Sequence, residues 1–244
     1  MIKSEFLSES KRIFALNPHI PTPTDDQLEQ LFDLAEIMLE VNSYMNLTAI
    51  TDMTGIILKH FVDSLAVSPY IPENSTVIDV GCGAGFPSLP LAILRPDLKI
   101  TPLDSTAKRI KYVQDTADKL GLVNVNAIAA RAEEAANKPE YREAFDVATA
   151  RAVADLPVLT ELCLPFVKPQ GLFVPMKAAK GDNEVDAAKN AITTCGGAIV
   201  DNIRCDITAN AIEFEQRRVV IVKKTQRTPK GYPRNFGRIQ KKPL

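Results

Sequence analysis

The first fifty residues carry apolar side chains at helical spacing. Thr24 is followed three positions later by Gln27, a capping-box pattern that is typical of a helix start. Apolar residues then recur on one helical face, at Leu28, Leu31, Phe32, Ala35, Met38 and Leu39. The run 42–46 breaks this pattern, and a second helix is predicted over 56–70, ending before Pro72. We therefore predict that the chain begins with a helical region.

From residue 76 onward, short apolar runs alternate with helical patterns. The predicted strands are 76–80, 99–103, 125–129, 145–149, 171–176, 198–203 and 218–223. The predicted helices between them are 88–94, 106–120, 153–164 and 182–195. Repeated strand–helix units favour an α/β fold with a mostly parallel sheet covered on both faces. The pattern changes near residue 73, so we predict a helical extension over 1–73, an α/β domain over 74–225 and a C-terminal tail over 226–244.

The stretch VIDVGCGAGFP (77–87) joins the first predicted strand to the next helix. Gly81, Gly83 and Gly85 alternate with other residues, a density typical of backbone that turns tightly or lies against a ligand. Open α/β sheets bind ligands at the carboxyl ends of their strands, where this loop falls. The dinucleotide fingerprint GxGxxG needs its third glycine one residue later. Asp79 would repel a pyrophosphate and attract the sulfonium and amino groups of S-adenosylmethionine.

Two further acidic positions follow the second and third predicted strands. Asp104 can accept hydrogen bonds from both ribose hydroxyls of an adenosine. Dinucleotides and S-adenosylmethionine both contain adenosine, so this acid does not distinguish between them. Residues 131–134 (RAEE) stand where an adenine ring would meet backbone and an acid. Each feature alone also fits an ordinary turn or cap. Together, at three strand ends, they favour a methyl donor over a dinucleotide.

Composition and charge narrow the class of protein. Apolar residues make up 45% and charged residues 24%, as in globular proteins, and no apolar run is long enough for a membrane span. The N-terminus lacks a signal-peptide pattern, so we expect a cytoplasmic protein. Four cysteines without a CxxC pair and two histidines argue against a metal site. Residues 217–244 contain ten Lys or Arg and no acid, which indicates either a polyanionic partner or a solvated tail.

Separated motifs along most of the chain resemble one protein family, in the family's order. They are NLTAI (46–50), KHFVDSLA (59–66), DVGCGAGFPSLPLAI (79–93), LDSTAKRIKYV (103–113), RAEE (131–134), DVATARAVADLPVLTEL (146–162) and the terminal YPR…KKPL. From about residue 28 to its end, the chain resembles the glucose-inhibited division protein B family, bacterial methyltransferases that act on guanine N7 in 16S ribosomal RNA. Two departures are Ser88, where a glycine is common, and MKAAKG (176–181), where the family's Lys-Gly pair is less clear.

The resemblance implies a class I S-adenosylmethionine-dependent methyltransferase fold, Rossmann-like, with a mostly parallel seven-stranded sheet and an N-terminal helical extension. It implies S-adenosylmethionine as the cofactor, bound at Gly81, Phe86, Asp104, Ser105, Thr106, Ala132, Glu133 and Arg151. It implies 16S rRNA or the small ribosomal subunit as the partner, contacted by Asn46, Arg131, Arg151 and Arg218. Arg151 is open to two roles, at the cofactor carboxylate or at the guanine edge.

Charge and motif together lead to expectations about partners. The basic residues near the C-terminus are expected to contact phosphate: Lys223, Lys224, Arg227, Lys230, Arg234, Arg238, Lys241 and Lys242. We expect a monomer with no metal and no membrane attachment.

The chemistry of guanine N7 leads to an expectation about catalysis. This nitrogen has an in-plane lone pair and no proton, so its methylation requires positioning and exclusion of water rather than a general base. The sequence has neither a Pro-Cys nucleophile nor an Asp/Asn-Pro-Pro-aromatic segment. Cys82 is interpreted as a packing residue and His60 as a structural one. We therefore assign no catalytic residue.

Three other functions stay open at this point. A methyltransferase for small molecules or proteins would share the glycine loop, but would not need the basic C-terminus. A nucleotide-binding oxidoreductase is disfavoured by the GxGxG spacing and by Asp79. A non-catalytic RNA-binding module is disfavoured by the intact loop and by Asp104.

Overall fold

The computed structural model describes residues 1–151, 153–178 and 181–244, and the side chains of all of these except 181–183. Part of the MKAAKG stretch (176–181), including Lys180 of its Lys-Gly pair, therefore lies outside the described residues.

Helices α1 (Lys3–Ala15) and α2 (Asp25–Met45) open the chain. The predicted capping box is confirmed, because Gln27 N donates to Thr24 Oγ1 and Thr24 N donates to Gln27 Oε1. The predicted break over 42–46 is wrong, since α2 continues to Met45 and ends at Asn46 in the left-handed conformation. The Asn42 side chain bonds forward to the backbone of Thr48, at 2.9 and 3.0 Å, and so ties the segment after the helix to its last turn.

The predicted helix over 56–70 is helical but not uniform. It comprises α3 (Met53–Gly55), a π-helical stretch (Ile56–Val62), α4 (Asp63–Leu65) and a 3₁₀ turn (Ser68–Tyr70). π-helical turns are rare and occur frequently at functional sites. Here the stretch contains His60 and Lys59, and both contribute to the site described below.

Strands and helices alternate in the rest of the chain. The strands are β1 (Thr76–Val80), β2 (Lys99–Asp104), β3 (Ile128–Ala129), β4 (Phe145–Arg151), β5 (Val167–Ala178), β6 (Gly197–Arg204), β7 (Ile207–Thr208), β8 (Phe214–Glu215) and β9 (Arg217–Lys224). The helices are α5 (Ser88–Leu94), α6 (Ala107–Lys119), α7 (Ala132–Ala135), α8 (Leu156–Cys163), α9 (Gly181–Thr194) and α10 (Phe236–Lys241). The short pair β7–β8 and the helices α7 and α10 were not predicted.

In the described part of the chain, seven strands form one sheet in the order β3-β2-β1-β4-β5-β9-β6. All pairings from β3 to β5 are parallel, and β9 is antiparallel to β5 and β6. The mostly parallel seven-stranded sheet is therefore confirmed. β3 is shorter than predicted: Val125 forms only an isolated parallel bridge with Ile100 of β2, and Ala127 N donates to the Gln114 side chain at 2.9 Å.

The apolar core lies on both faces of the sheet. On one face, α1 and α2 pack with α5 through buried residues such as Phe6, Leu34 and Leu89. On the other face, α8, α9 and α10 pack against the strands through Leu159, Ile192 and other residues. Among the described helices, none is both long and apolar enough to cross a bilayer.

Two basic residues near the C-terminus have structural positions. Lys224 is fully buried, and its Nζ donates to the Leu164 carbonyl at 2.7 Å and to Thr228 Oγ1 at 2.6 Å. Arg234 forms a bidentate pair with Glu161, at 2.8 and 2.6 Å, and Glu161 is itself fully buried. The expectation that Lys224 and Arg234 contact phosphate is therefore wrong, because both side chains are committed to buried partners.

We expect Arg234→Ala to lower the free energy of unfolding by about 3 kcal/mol, because it leaves the buried Glu161 carboxylate without its charged partner. Urea denaturation measures this loss. The matched control is Arg227→Ala in the same tail, since the Arg227 side chain is 85% exposed. Equal stability of the two variants would contradict a structural role for the pair of Arg234 and Glu161.

Candidate active site

A cavity of about 480 Å³ opens at the carboxyl ends of β1, β2 and β4. The chain leaves β1 toward β2 on one side, and β4 pairs on the other side, so the cavity lies where the strand order reverses. Open α/β sheets bind their ligands at this switch point. The volume suits a small organic molecule.

The glycine loop after β1 forms the floor of this cavity. Gly81, Gly83 and Gly85 have φ values of +78°, +56° and +86°, which favour glycine. A Cβ at Gly83 would meet no atom within 4 Å, so the backbone there faces open space. The loop is attached to β2, because Gly81 N and Cys82 N both donate to the Leu103 carbonyl, at 2.7 and 3.0 Å.

The carboxylate of Asp104 is fixed at the end of β2. It accepts hydrogen bonds from Gly83 N at 3.1 Å and from Thr106 N at 2.8 Å. Arg109, in the first turn of α6, brings its Nη1 to 3.9 Å from the same carboxylate. Ser105 and Thr106 continue this wall of the cavity. An oriented carboxylate here is suited to accepting hydrogen bonds from sugar hydroxyls.

Asp79 does not line the cavity, although the sequence suggested a direct role for it near the cationic groups of the cofactor. It is fully buried behind the loop, where Ser88 Oγ donates to its Oδ2 at 2.6 Å. Burial raises its pKa to about 6. Its other oxygen, Oδ1, has no hydrogen-bond partner among the described residues. Ser88, a departure from the family pattern, thus supplies a hydrogen bond to the buried Asp79 carboxyl group.

Residues after β3 form a further wall. Ala132 and Glu133 line the cavity at the start of α7, and Ala130 and Arg131 precede them there. Arg131 is exposed, and its Nη1 lies 4.0 Å from Glu133 Oε1. With Asp104 and the glycine loop, these residues surround one space, as the spacing of the three strand ends predicted.

His60, Phe86 and Arg151 form a stack at the cavity. The His60 and Phe86 rings are parallel to within 8°, with centroids 4.6 Å apart, and the Arg151 guanidinium lies 5.4 Å from the Phe86 ring. Arg151 Nη1 donates to the Lys59 carbonyl at 2.7 Å and to Asp63 Oδ2 at 3.0 Å. The π-helical stretch therefore sets the position of the arginine at the end of β4.

Burial shifts the pKa values of two groups that line the cavity, His60 and Cys82, toward their uncharged forms. Burial, with a smaller effect of the Arg151 charge, lowers the pKa of His60 to about 4. Its Nε2 pairs with Thr48 Oγ1 at 2.9 Å. Burial raises the pKa of the Cys82 thiol well above its ordinary value. Neither group is poised to accept a proton or attack a substrate at neutral pH.

The structure brings together every residue predicted to bind the cofactor: Gly81, Phe86, Asp104, Ser105, Thr106, Ala132, Glu133 and Arg151 all line the one cavity. Of the residues predicted to contact RNA, Arg131 and Arg151 line it too. Asn46 lies nearby as the exposed end of α2, beside the lining residue Leu47. Arg218 lies on β9, opposite Lys177 of β5, and does not line the cavity.

Sequence reasoning missed other residues that line the cavity. Arg109 could have been found, because it stands five residues after Asp104 in a predicted helix. Val153, Leu162 and Phe236 had no local signal. Their places depend on how distant segments pack.

The family is decided by comparison with known proteins. The model of the family described as rRNA small subunit methyltransferase G matches residues 27–210. The chain belongs to this family. It is 41% identical over 242 residues to ribosomal RNA small subunit methyltransferase G of Lactobacillus helveticus, covering 98% of this chain and 100% of the relative. It is 46% identical over 220 residues to the protein of the same name from Halalkalibacterium halodurans, covering 89% and 91%.

The family confirms the resemblance inferred from the motifs, and with it an S-adenosylmethionine-dependent enzyme that methylates small-subunit ribosomal RNA. Solved structures confirm the class I fold. A SAM-dependent methyltransferase from Aquifex aeolicus superposes with a TM-score of 0.53 at 17% identity, covering 71% of this chain and 94% of that one. One from Methanosarcina mazei gives 0.51 at 15% identity, covering 65% and 96%.

We expect Gly81→Ala to destabilise the protein more than Gly121→Ala, by about 1 kcal/mol in urea denaturation. Both glycines have positive φ, so alanine is strained at both. Only at Gly81 does the added Cβ meet a neighbour, 2.7 Å from Val153 Cγ2. Equal losses for the two variants would show that Val153 does not pack on the loop.

The lowered pKa of His60, about 4, predicts a pH dependence of stability. Between the ordinary pKa of about 6.5 and this value, the unfolded chain binds a proton that the folded protein does not, so the free energy of unfolding falls as pH drops. Between about pH 7 and about pH 4.5, wild type should lose about 2 kcal/mol more than His60→Gln. Asp79, whose pKa is raised, acts in the opposite direction in both proteins. Identical pH slopes in urea denaturation would refute the buried neutral histidine.

Proposed function

We propose that this protein transfers a methyl group from S-adenosylmethionine to N7 of a specific guanine in 16S ribosomal RNA. Three arginines around one cavity carry the proposal: Arg109, Arg131 and Arg151 surround a space whose other walls are the glycine loop and Asp104. The exposed guanidinium groups of Arg109 and Arg131 suit a phosphate-rich substrate, and the oriented backbone and carboxylate beside them suit an adenosine.

The residues present fit this cofactor. The open space at Gly83 admits a ligand against the loop backbone, and the fixed Asp104 carboxylate can receive ribose hydroxyls. We propose that Gly81, Phe86, Asp104, Ser105, Thr106, Ala132, Glu133 and Arg151 hold it. When bound, S-adenosylmethionine supplies a methyl group activated by a sulfonium.

We assign no catalytic residue, because guanine N7 already presents a lone pair and carries no proton. Asp104 is engaged with two backbone donors, and His60 is buried against Phe86. The work of the chain is then to orient the base and to exclude water.

For RNA recognition, we propose Arg131 and Arg151 at the cavity, with Asn46 and Arg218 farther out. A guanidinium can donate to O6 of guanine, and this contact leaves the N7 lone pair free to accept the methyl group. Arg151 is held for such a role by Asp63 and by the Lys59 carbonyl. We propose that exposed Lys and Arg side chains of the C-terminal tail contact phosphates. They are Arg227, Lys230, Arg238, Lys241 and Lys242.

The remaining features of the proposal concern organisation. We propose a cytoplasmic monomer that uses no metal. We also propose the division into a helical extension (1–73), a methyltransferase domain (74–225) and a C-terminal tail (226–244).

The purified protein is incubated with labelled S-adenosylmethionine and with small-subunit rRNA from a strain lacking this gene. After nuclease digestion of the RNA, mass spectrometry should detect 7-methylguanosine. Asp104→Ala should weaken cofactor binding about 10- to 100-fold, because it removes a charged hydrogen-bond acceptor at the cavity wall. The matched control is Asp115→Ala, an exposed carboxylate on α6 paired with Lys111.

Transfer to intact small subunits but not to naked RNA would keep the reaction and change the substrate. Absence of transfer to either, with normal cofactor binding, would overturn the proposal.

A further inference from the structure

The C-terminal tail is attached by polar contacts to the segment before β4 and to α8. Arg142 donates to the carbonyls of Tyr232 and Thr228, at 2.8 and 3.0 Å. Arg234 is paired with the buried Glu161, and Ile239 of α10 is fully buried. These anchors lie before, within and after residues 232–234, so the tail has a defined position relative to the cavity.

Phe236, the first residue of α10, reaches the cavity from this tail. Asn235 caps the helix by accepting a hydrogen bond from Arg238 N at 3.0 Å. The Phe236 side chain is partly buried and packs against the apolar cluster that includes Leu162 of α8. Both side chains line the cavity.

The walls near Phe236 have a distinct chemistry. Ala130 and Ala132, like Phe236 and Leu162, pack against this same cluster, and all four line the cavity. A flat, weakly polar ring suits such an apolar surface, and aromatic side chains favour stacked or edge-on contacts with rings. Asp104, which can hold ribose hydroxyls, stands on β2 next to the strand from which Ala130 continues. An adenine attached to that ribose is thereby directed toward this surface.

We propose that Phe236 forms a wall of the cofactor site and packs on the adenine of S-adenosylmethionine. The C-terminal tail is then part of the methyl-donor site and does more than contact RNA. This inference rests on the cofactor site in the proposed function. The family model matches residues 27–210, so this wall comes from chain beyond the matched region.

Isothermal titration calorimetry of the full-length protein tests the assignment with three ligands that share adenosine: S-adenosylmethionine, S-adenosylhomocysteine and 5′-methylthioadenosine. Phe236→Ala should raise the Kd for all three about tenfold, because it removes an aromatic contact with their common ring. Phe236→Tyr should bind nearly as wild type does. Gln240→Ala, at an exposed residue of the same helix, is the matched control and should leave the Kd unchanged.

Thermal unfolding of each variant shows whether weaker binding comes from the missing side chain or from an unfolded protein. Should Phe236→Ala unfold, Phe236→Leu keeps an apolar side chain without the ring and should still raise the Kd for all three ligands. Unchanged Kd values in a folded variant without the ring overturn the inference and leave the proposed function standing. A loss confined to the two ligands that carry an amino-acid group overturns the adenine assignment. Failure of wild type to bind S-adenosylmethionine overturns the inference and the proposed function together.

Discussion

The end of β2 is the element on which the glycine loop and the cavity depend. The Leu103 carbonyl accepts hydrogen bonds from Gly81 N and Cys82 N, and the Asp104 carboxylate accepts one from Gly83 N. Glycines at positive φ cannot continue a strand ladder, so their backbone donors need other partners where they are buried. The neighbouring strand provides these partners. One pair of adjacent residues thus fixes the loop and presents a carboxylate beside it.

A second constraint joins the N-terminal helical region to the site. Asp63 is buried and accepts hydrogen bonds from Arg151 at 3.0 Å and from Arg217 at 2.7 Å. A carboxylate buried between two guanidinium groups is compensated in charge and holds both in place. Since the Lys59 carbonyl also accepts a hydrogen bond from Arg151, the π-helical stretch and α4 determine where this arginine stands beside Phe86. The helical region therefore helps to shape the cavity.

The C-terminus shows how charge in the sequence can serve two purposes. Lys224 donates to Leu164 and Thr228, and Arg234 pairs with Glu161. These contacts inside the protein attach the tail. Other basic residues of the tail remain exposed. A count of charges cannot separate these two groups, because the buried partners Leu164 and Glu161 come from a distant part of the chain.

The alternation of strands and helices, the glycine loop and the acid at the end of β2 can all be recognised from the amino-acid sequence. These depend on local period, on backbone freedom at glycine and on strand ends that meet at one sheet edge. The motifs also determined the family. Four other features became visible with the folded chain: β3 is short, Asp79 lies behind the loop, Asp63 holds Arg151 and Phe236 reaches the cavity. Each of these depends on a contact or on burial between segments far apart in the chain, which no local pattern encodes.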